Sequence, residues 1–135
     1  YVCFMKKLLL LFVLLIFACS SDDSLEDNLL SKHTIEGKWL TQATVSNTMY
    51  LFKDGVRYTY YCVQGDCNAL FNSYEANDGN HIPRTNPYTF EDNVLTVDLH
   101  FGNELVTPVA FKCDGGEVYF ENPEYSLFRL NSGCN

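Results

Sequence analysis

Four cysteines in the body of this chain, Cys62, Cys67, Cys113 and Cys134, carry its most reactive side-chain atoms. Thiols support two chemistries, oxidation in pairs to disulfides or metal ligation as thiolates. A four-thiolate zinc site is built from close pairs separated by about two to four residues, and only Cys62 and Cys67 meet that spacing. The sequence therefore predicts disulfides, for which four cysteines allow three pairings. Cys62 and Cys67 flank Val63-Gln64-Gly65-Asp66, a polar, turn-prone stretch between two strand-like runs, so a bridged hairpin is expected there. Cys113 would then tie a late strand to Cys134, and the two bridges would contribute roughly 2 and 3 kcal/mol.

Other chemistry is sparse. Of His33, His81 and His100, only the last stands near a carboxylate on a strand face, that of Asp98. Such a pair could exchange protons, but a solvated strand face explains it more simply. Asp78-Gly79-Asn80 has turn chemistry that calcium loops share, yet the alternating oxygen ligands and closing Glu of an EF-hand do not follow it. A surface turn is expected. There is no Gly-x-Ser-x-Gly, His-Glu-x-x-His, P-loop or dinucleotide fingerprint. The reading is a non-enzyme with no catalytic residues, no metal and no cofactor.

Aromatic residues are the remaining candidates for binding, bunched at Tyr58, Tyr60, Tyr61, Tyr88, Phe90, Phe111, Tyr119 and Phe120. In a small β-barrel, inward rings either fill the interior or line a cup with a few polar tips. Tyr58, Tyr60, Tyr88 and Phe111 are the candidate ligand contacts, with Arg84 as a lid charge.

The elements that would position them are strands. A first begins at Gly37 and runs toward Val45. Met49 to Phe52 meets Val56 to Val63 across Lys53-Asp54-Gly55, and Asp-Gly between aromatic runs is a strong hairpin signal. A weaker run, Asn68 to Tyr74, would pair back through the bridged turn. Glu75 to Pro87 reads as the longest loop. Tyr88 to Phe90 and Val94 to Phe101 form a hairpin around Glu91-Asp92-Asn93, with Leu95, Val97, Leu99 and Phe101 on one face and Thr96, Asp98 and His100 on the other. Leu105 to Cys113, Val118 to Phe120 and Tyr125 to Leu130 complete the series. No segment has a helical period of ten or more residues. The expectation is an all-β antiparallel up-and-down meander closed into a small barrel, since closure removes both exposed edges.

Gly37-Lys38-Trp39 and the hairpin Phe52-Lys53-Asp54-Gly55-Val56-Arg57-Tyr58 resemble the lipocalin-like domains of bacterial lipoproteins, as does the closing run Leu127-Phe128-Arg129-Leu130. The likeness covers nearly all of residues 35 to 131. It implies a lipocalin-like, calycin-type barrel in which Arg129 covers Trp39 beside Gly37, a cation–π contact worth roughly 0.5–2 kcal/mol. The chain departs from typical lipocalins in lacking a C-terminal helix after the barrel.

At the N-terminus, Met5-Lys6-Lys7 leads into an apolar run from Leu8 to Ala18, the pattern of a cleaved signal peptide and too short for a membrane span. Residues 1–4, with Cys3, read as an upstream extension. Ile16-Phe17-Ala18-Cys19 resembles a bacterial lipobox, which implies cleavage before Cys19 and acylation of that residue. Several acyl chains would anchor the chain stably to a membrane. Ser20 is compatible with outer-membrane sorting, and Asp22-Asp23 resembles surface-export signals of some Gram-negative lipoproteins. Residues 1–18 would be the signal peptide, 19–34 a lipidated acidic tether, and 35–135 the barrel.

The whole chain carries a net charge of −8. Removing Lys6 and Lys7 from its 9 basic residues leaves seven against 17 acidic ones, a balance that disfavours nucleic acid as a partner. The function expected is a lipid-anchored outer-membrane lipoprotein, periplasmic or surface-exposed, whose barrel binds a small apolar molecule or envelope component. The alternative is a solid barrel that meets another envelope protein through the Glu75–Pro87 loop, as an inhibitor or accessory subunit.

Overall fold

Short runs of β-branched and aromatic residues, each stopped by a turn, give this chain eight antiparallel strands in the computed structural model, which describes residues 33–134. The expected signal peptide and lipobox, with Cys3 and Cys19, and the expected tether up to residue 32 lie outside the described residues. The strands are β1 (Gly37–Leu40), β2 (Thr48–Lys53), β3 (Val56–Tyr61), β4 (Asn86–Glu91), β5 (Val94–His100), β6 (Asn103–Lys112), β7 (Glu117–Glu121) and β8 (Glu124–Arg129). Each pairs with the next, and β8 returns to β1 through Trp39↔Arg129 and Leu40↔Phe128, closing the barrel. Among the described residues no helix is long and apolar enough to cross a membrane.

Turn chemistry sets the register. Asp54 and Gly55 both take positive φ (52° and 76°), as do Asp92 and Asn93 (50° and 60°). Paired positive φ values suit the twist of tight hairpins. The first of these turns places Lys53 opposite Val56, Phe52 opposite Arg57 and Leu51 opposite Tyr58.

That register creates two cores rather than one. Trp39 lies opposite Tyr50, and Gly37 opposite Phe52, so these residues share the inner face. There Trp39, Phe52, Tyr88, Leu95, Val97, Val109, Val118, Phe120 and Leu127 pack together. Leu40, Met49, Leu51, Tyr58 and Tyr60 point the other way and form a second cluster outside the barrel. Its cover is a helix, α1 (Cys67–Ser73), which buries Phe71 against these strands. The wall β1–β3 is thus buried on both faces, which is why Met49-Tyr50-Leu51-Phe52 reads as continuous rather than alternating.

Helix α1 stands where the sequence reading expected a fourth strand, Asn68 to Tyr74. Two physical reasons favour helix here. Asp66 caps the first turn, its side chain accepting from the Ala69 backbone N–H at 3.1 Å. The segment CNALFNS also lacks the β-branched residues that suit a pleated surface. The Cys62–Cys67 disulfide, with Cα atoms 5.5 Å apart, therefore joins the end of β3 to the first residue of α1 instead of bridging a hairpin. The second disulfide is Cys113–Cys134.

Two other expectations need correction. The first strand stops at Leu40 rather than running toward Val45, which is exposed. Ser46 is buried in the loop that follows, donating to the Thr48 carbonyl and bonded to the Thr41 hydroxyl. In β5 the alternation holds for Leu95 and Val97 but not for Leu99 and Phe101, which are 42% and 84% exposed. A register shift between Asp98 and His100 interrupts it, with φ of 69° at His100 and 56° at Phe101. The Asp98 carboxylate accepts the His100 backbone N–H at 2.6 Å and holds that irregularity.

Candidate ligand-binding site

Alternate turns of a meander lie at alternate ends of the barrel. One end carries Asp54-Gly55, Asp92-Asn93 and the Cys113–Gly115 turn, and it is closed by Arg129. The guanidinium sits 4.4 Å from the Trp39 ring centroid. It donates to the carbonyls of Thr34, Glu36 and Gly115 at 2.9, 3.1 and 3.1 Å. The indole Nε1 of Trp39 donates to the Ile35 carbonyl at 2.6 Å. Gly37 (φ 122°) makes room for this arrangement, because a Cβ there would stand 2.7 Å from Arg129 Nη1. Beside this end, Thr34, Glu36, Gly55, Tyr88 and Glu91 line an open groove of about 470 Å³.

Toward the other end the interior becomes polar. Arg57 lies opposite Phe52 and so faces inward from β3. Its guanidinium stands 4.9 Å from the Tyr50 ring centroid, and its Nη2 donates to Asn86 Oδ1 at 2.8 Å. Asn86 Nδ2 in turn donates to the Asp98 carbonyl at 2.7 Å, so the amide is oriented from behind. Arg57 Nε is buried and has no hydrogen-bond partner. The ion pairs among the described residues, Lys38–Glu75 and Lys112–Glu117, do not involve Arg57.

The electrostatics match that geometry. Burial lowers the Arg57 guanidinium from its usual range, opposed by the neighbouring phenols of Tyr50, Tyr125 and Tyr61. Burial pushes the Tyr125 phenol up to about 12, with Tyr50 adding to the shift and Arg57 opposing it. Tyr50, Arg57 and Tyr125 are nevertheless only partly buried, whereas Trp39 and Phe120 deeper in the same interior are wholly buried. This end of the barrel is therefore less completely buried than its floor. No family model, curated protein or solved structure matches the chain.

The structure separates the aromatic candidates. Tyr88 faces the interior, edge-on to Phe52 at 5.0 Å, and its hydroxyl donates to Glu36 Oε1 at 3.1 Å. Burial and that carboxylate raise its phenol above the usual range. Phe111 also packs against the inner cluster, near Trp39 and Phe90. Tyr58 and Tyr60 do not line the interior. They sit on the outer face, and the Tyr60 hydroxyl donates to the Glu75 carbonyl at 2.8 Å while its ring stacks on Tyr74 at 5.1 Å. Alternation places them there: in β3 the inward residues are Arg57 and Thr59, so Tyr58 and Tyr60 must face out. Arg84 lies over the Phe101 ring at 5.1 Å, at the rim rather than across the interior.

Neither polar candidate outside the barrel assembles a reactive set. His100 Nε2 bonds the Thr85 carbonyl at 2.8 Å, so its imidazole and the Asp98 carboxylate have different partners. Asp78 accepts from the backbone N–H groups of Glu75 and Asn80, each at 2.8 Å, which makes it the organiser of a surface turn. Among the described residues no three or more His, Cys, Asp or Glu side chains are grouped to hold a metal ion.

Arg57, Tyr50, Asn86 and Tyr125 were missed by sequence reasoning. A signal for the first two existed. The Asp54-Gly55 turn fixes Phe52 opposite Arg57, so once Trp39 is assigned inward, Tyr50 and Arg57 follow by pairing.

Proposed function

We propose that this chain is a lipid-anchored envelope lipoprotein whose barrel carries a small, largely apolar molecule. The observation that supports it most is the polar interior end, where Tyr50, Arg57 and Tyr125 face inward and are partly exposed above a buried apolar cluster. Binding sites of this kind combine apolar walls with a few placed polar groups. The lipobox-like Ile16-Phe17-Ala18-Cys19 supplies the anchor, through acyl chains on Cys19 at an outer membrane, with the barrel periplasmic or surface-exposed.

The test is mass spectrometry of the full chain extracted from a Gram-negative envelope. Acyl mass on a peptide beginning at Cys19 supports the anchor, and a chain retaining residues 1–18 overturns it. Under native conditions, extra mass lost on denaturation supports carriage. A bare barrel overturns carriage in favour of the protein-interacting alternative.

A further inference from the structure

We propose that the outer edge of β6 from Glu104 to Val106 is a docking site for a basic, extended segment of another protein, which adds there as one more strand. The site lies on the wall of the barrel and is independent of what the interior carries.

Strand β6 is longer than its cover. It pairs with β5 from Asn103 to Pro108, but with β7 only from Val109 to Lys112. Pro108 stands at the break, and it has no N–H for a ladder bond. The Val109 N–H donates to the Asn93 carbonyl at 2.8 Å. In this half of β6 the odd-numbered residues therefore turn their backbone groups toward β5, and the even-numbered ones turn theirs away. The N–H and C=O groups of Glu104 and Val106 thus lie along an edge that no strand among the described residues covers. The β7–β8 turn meets β6 at Thr107, whose Oγ1 accepts the Asn122 N–H at 3.2 Å.

An exposed edge recruits a strand through main-chain hydrogen bonds, and the flanking side chains select which strand. Here they are acidic and apolar. Glu104 stands on the edge itself, Glu121 lies opposite Glu124 beside the β7–β8 turn, and all three are exposed. None of them forms an ion pair among the described residues. The β5–β6 hairpin also exposes Leu99, Phe101 and Val106, by 42%, 84% and 54%. A strand that carries lysine or arginine among apolar residues complements both features. A second copy of this chain would instead bring a second set of the same carboxylates to the edge of a molecule whose net charge is already −8.

The probe is a short fluorescein-labelled peptide of alternating lysine and valine, titrated with the full chain and read by anisotropy. Its controls are the same peptide with glutamate for lysine and a version N-methylated at every amide. The lysine peptide should bind at least about fivefold more tightly than either control. Val106→Pro deletes the outward N–H while leaving the ladder to β5, and it should weaken that binding by about the same factor. Amide exchange reads the edge without a substitution. In the dilute wild-type chain Glu104 and Val106 should exchange rapidly beside slow Leu105 and Thr107, and the lysine peptide should slow both by about tenfold or more. Protection of Glu104 and Val106 in the dilute free chain would mean that the edge is already covered and overturns the site. Protection that rises with chain concentration alone assigns the edge to a second copy and overturns the choice of partner. Equal binding of the lysine and glutamate peptides does the same. Binding of none of the peptides, or binding to Val106→Pro that is undiminished, overturns the proposal outright.

Discussion

Two arginines face the inside of this barrel, and their surroundings give them different work. Arg129 is fully engaged, spanning the indole of Trp39 and three carbonyls from separate segments, so its role is to seal an end. Arg129→Ala removes the cation–π contact and leaves those carbonyls without their donor. The expected loss is about 1–3 kcal/mol, read as a lowered midpoint in urea unfolding, and an unchanged midpoint would show the seal to be dispensable. At this scale the sequence was legible where a short motif fixed a neighbourhood, as with Gly37, Trp39 and the Asp54-Gly55 turn. It was less legible where a residue's meaning depends on what stands across the interior. Nothing within β4 marks Asn86 as the amide that orients Arg57, because that contact is made across a strand pair whose register follows a long loop.

At the scale of elements, helix α1 packs on the outer face of the wall β1–β3, and the Cys62–Cys67 bridge fastens the helix to the end of β3. The Cys113–Cys134 bridge fastens the chain's last residues against the opposite end, where Cys134 is buried. Replacing each pair by alanine should lower stability by roughly 2 kcal/mol for the first and roughly 3 kcal/mol for the second, following loop length. Thermal unfolding with and without reductant checks the sum, and a melting temperature indifferent to reductant would contradict it. The meander order of the eight strands was readable from turn residues, although the sequence reading counted a ninth, Asn68 to Tyr74. The helix was not, because a seven-residue segment is too short for a periodic signal and its capping aspartate equally suits a turn. A spacing of five residues between cysteines fits a hairpin as well as it fits a strand-to-helix corner.

For the whole molecule, tyrosine burial ties stability to alkaline pH. Burial raises the phenols of Tyr60, Tyr88 and Tyr125, the last to about 12, against about 10 in an unfolded chain. Above about pH 10 the unfolded state holds fewer protons than the folded one, so stability present below that pH is lost as pH rises through the folded values. Urea midpoints followed from about pH 9 to about pH 12 should fall, and Tyr125→Phe should flatten part of that fall. A midpoint constant across the window would show that these phenols titrate freely. The seam between β1 and β8 has a consequence of another kind, in time rather than energy. Every other strand finds its partner next along the chain, but Trp39 must wait for Arg129. Until that residue has left the ribosome, the sheet is an open ribbon with a bare edge, so closure is a late, long-range event.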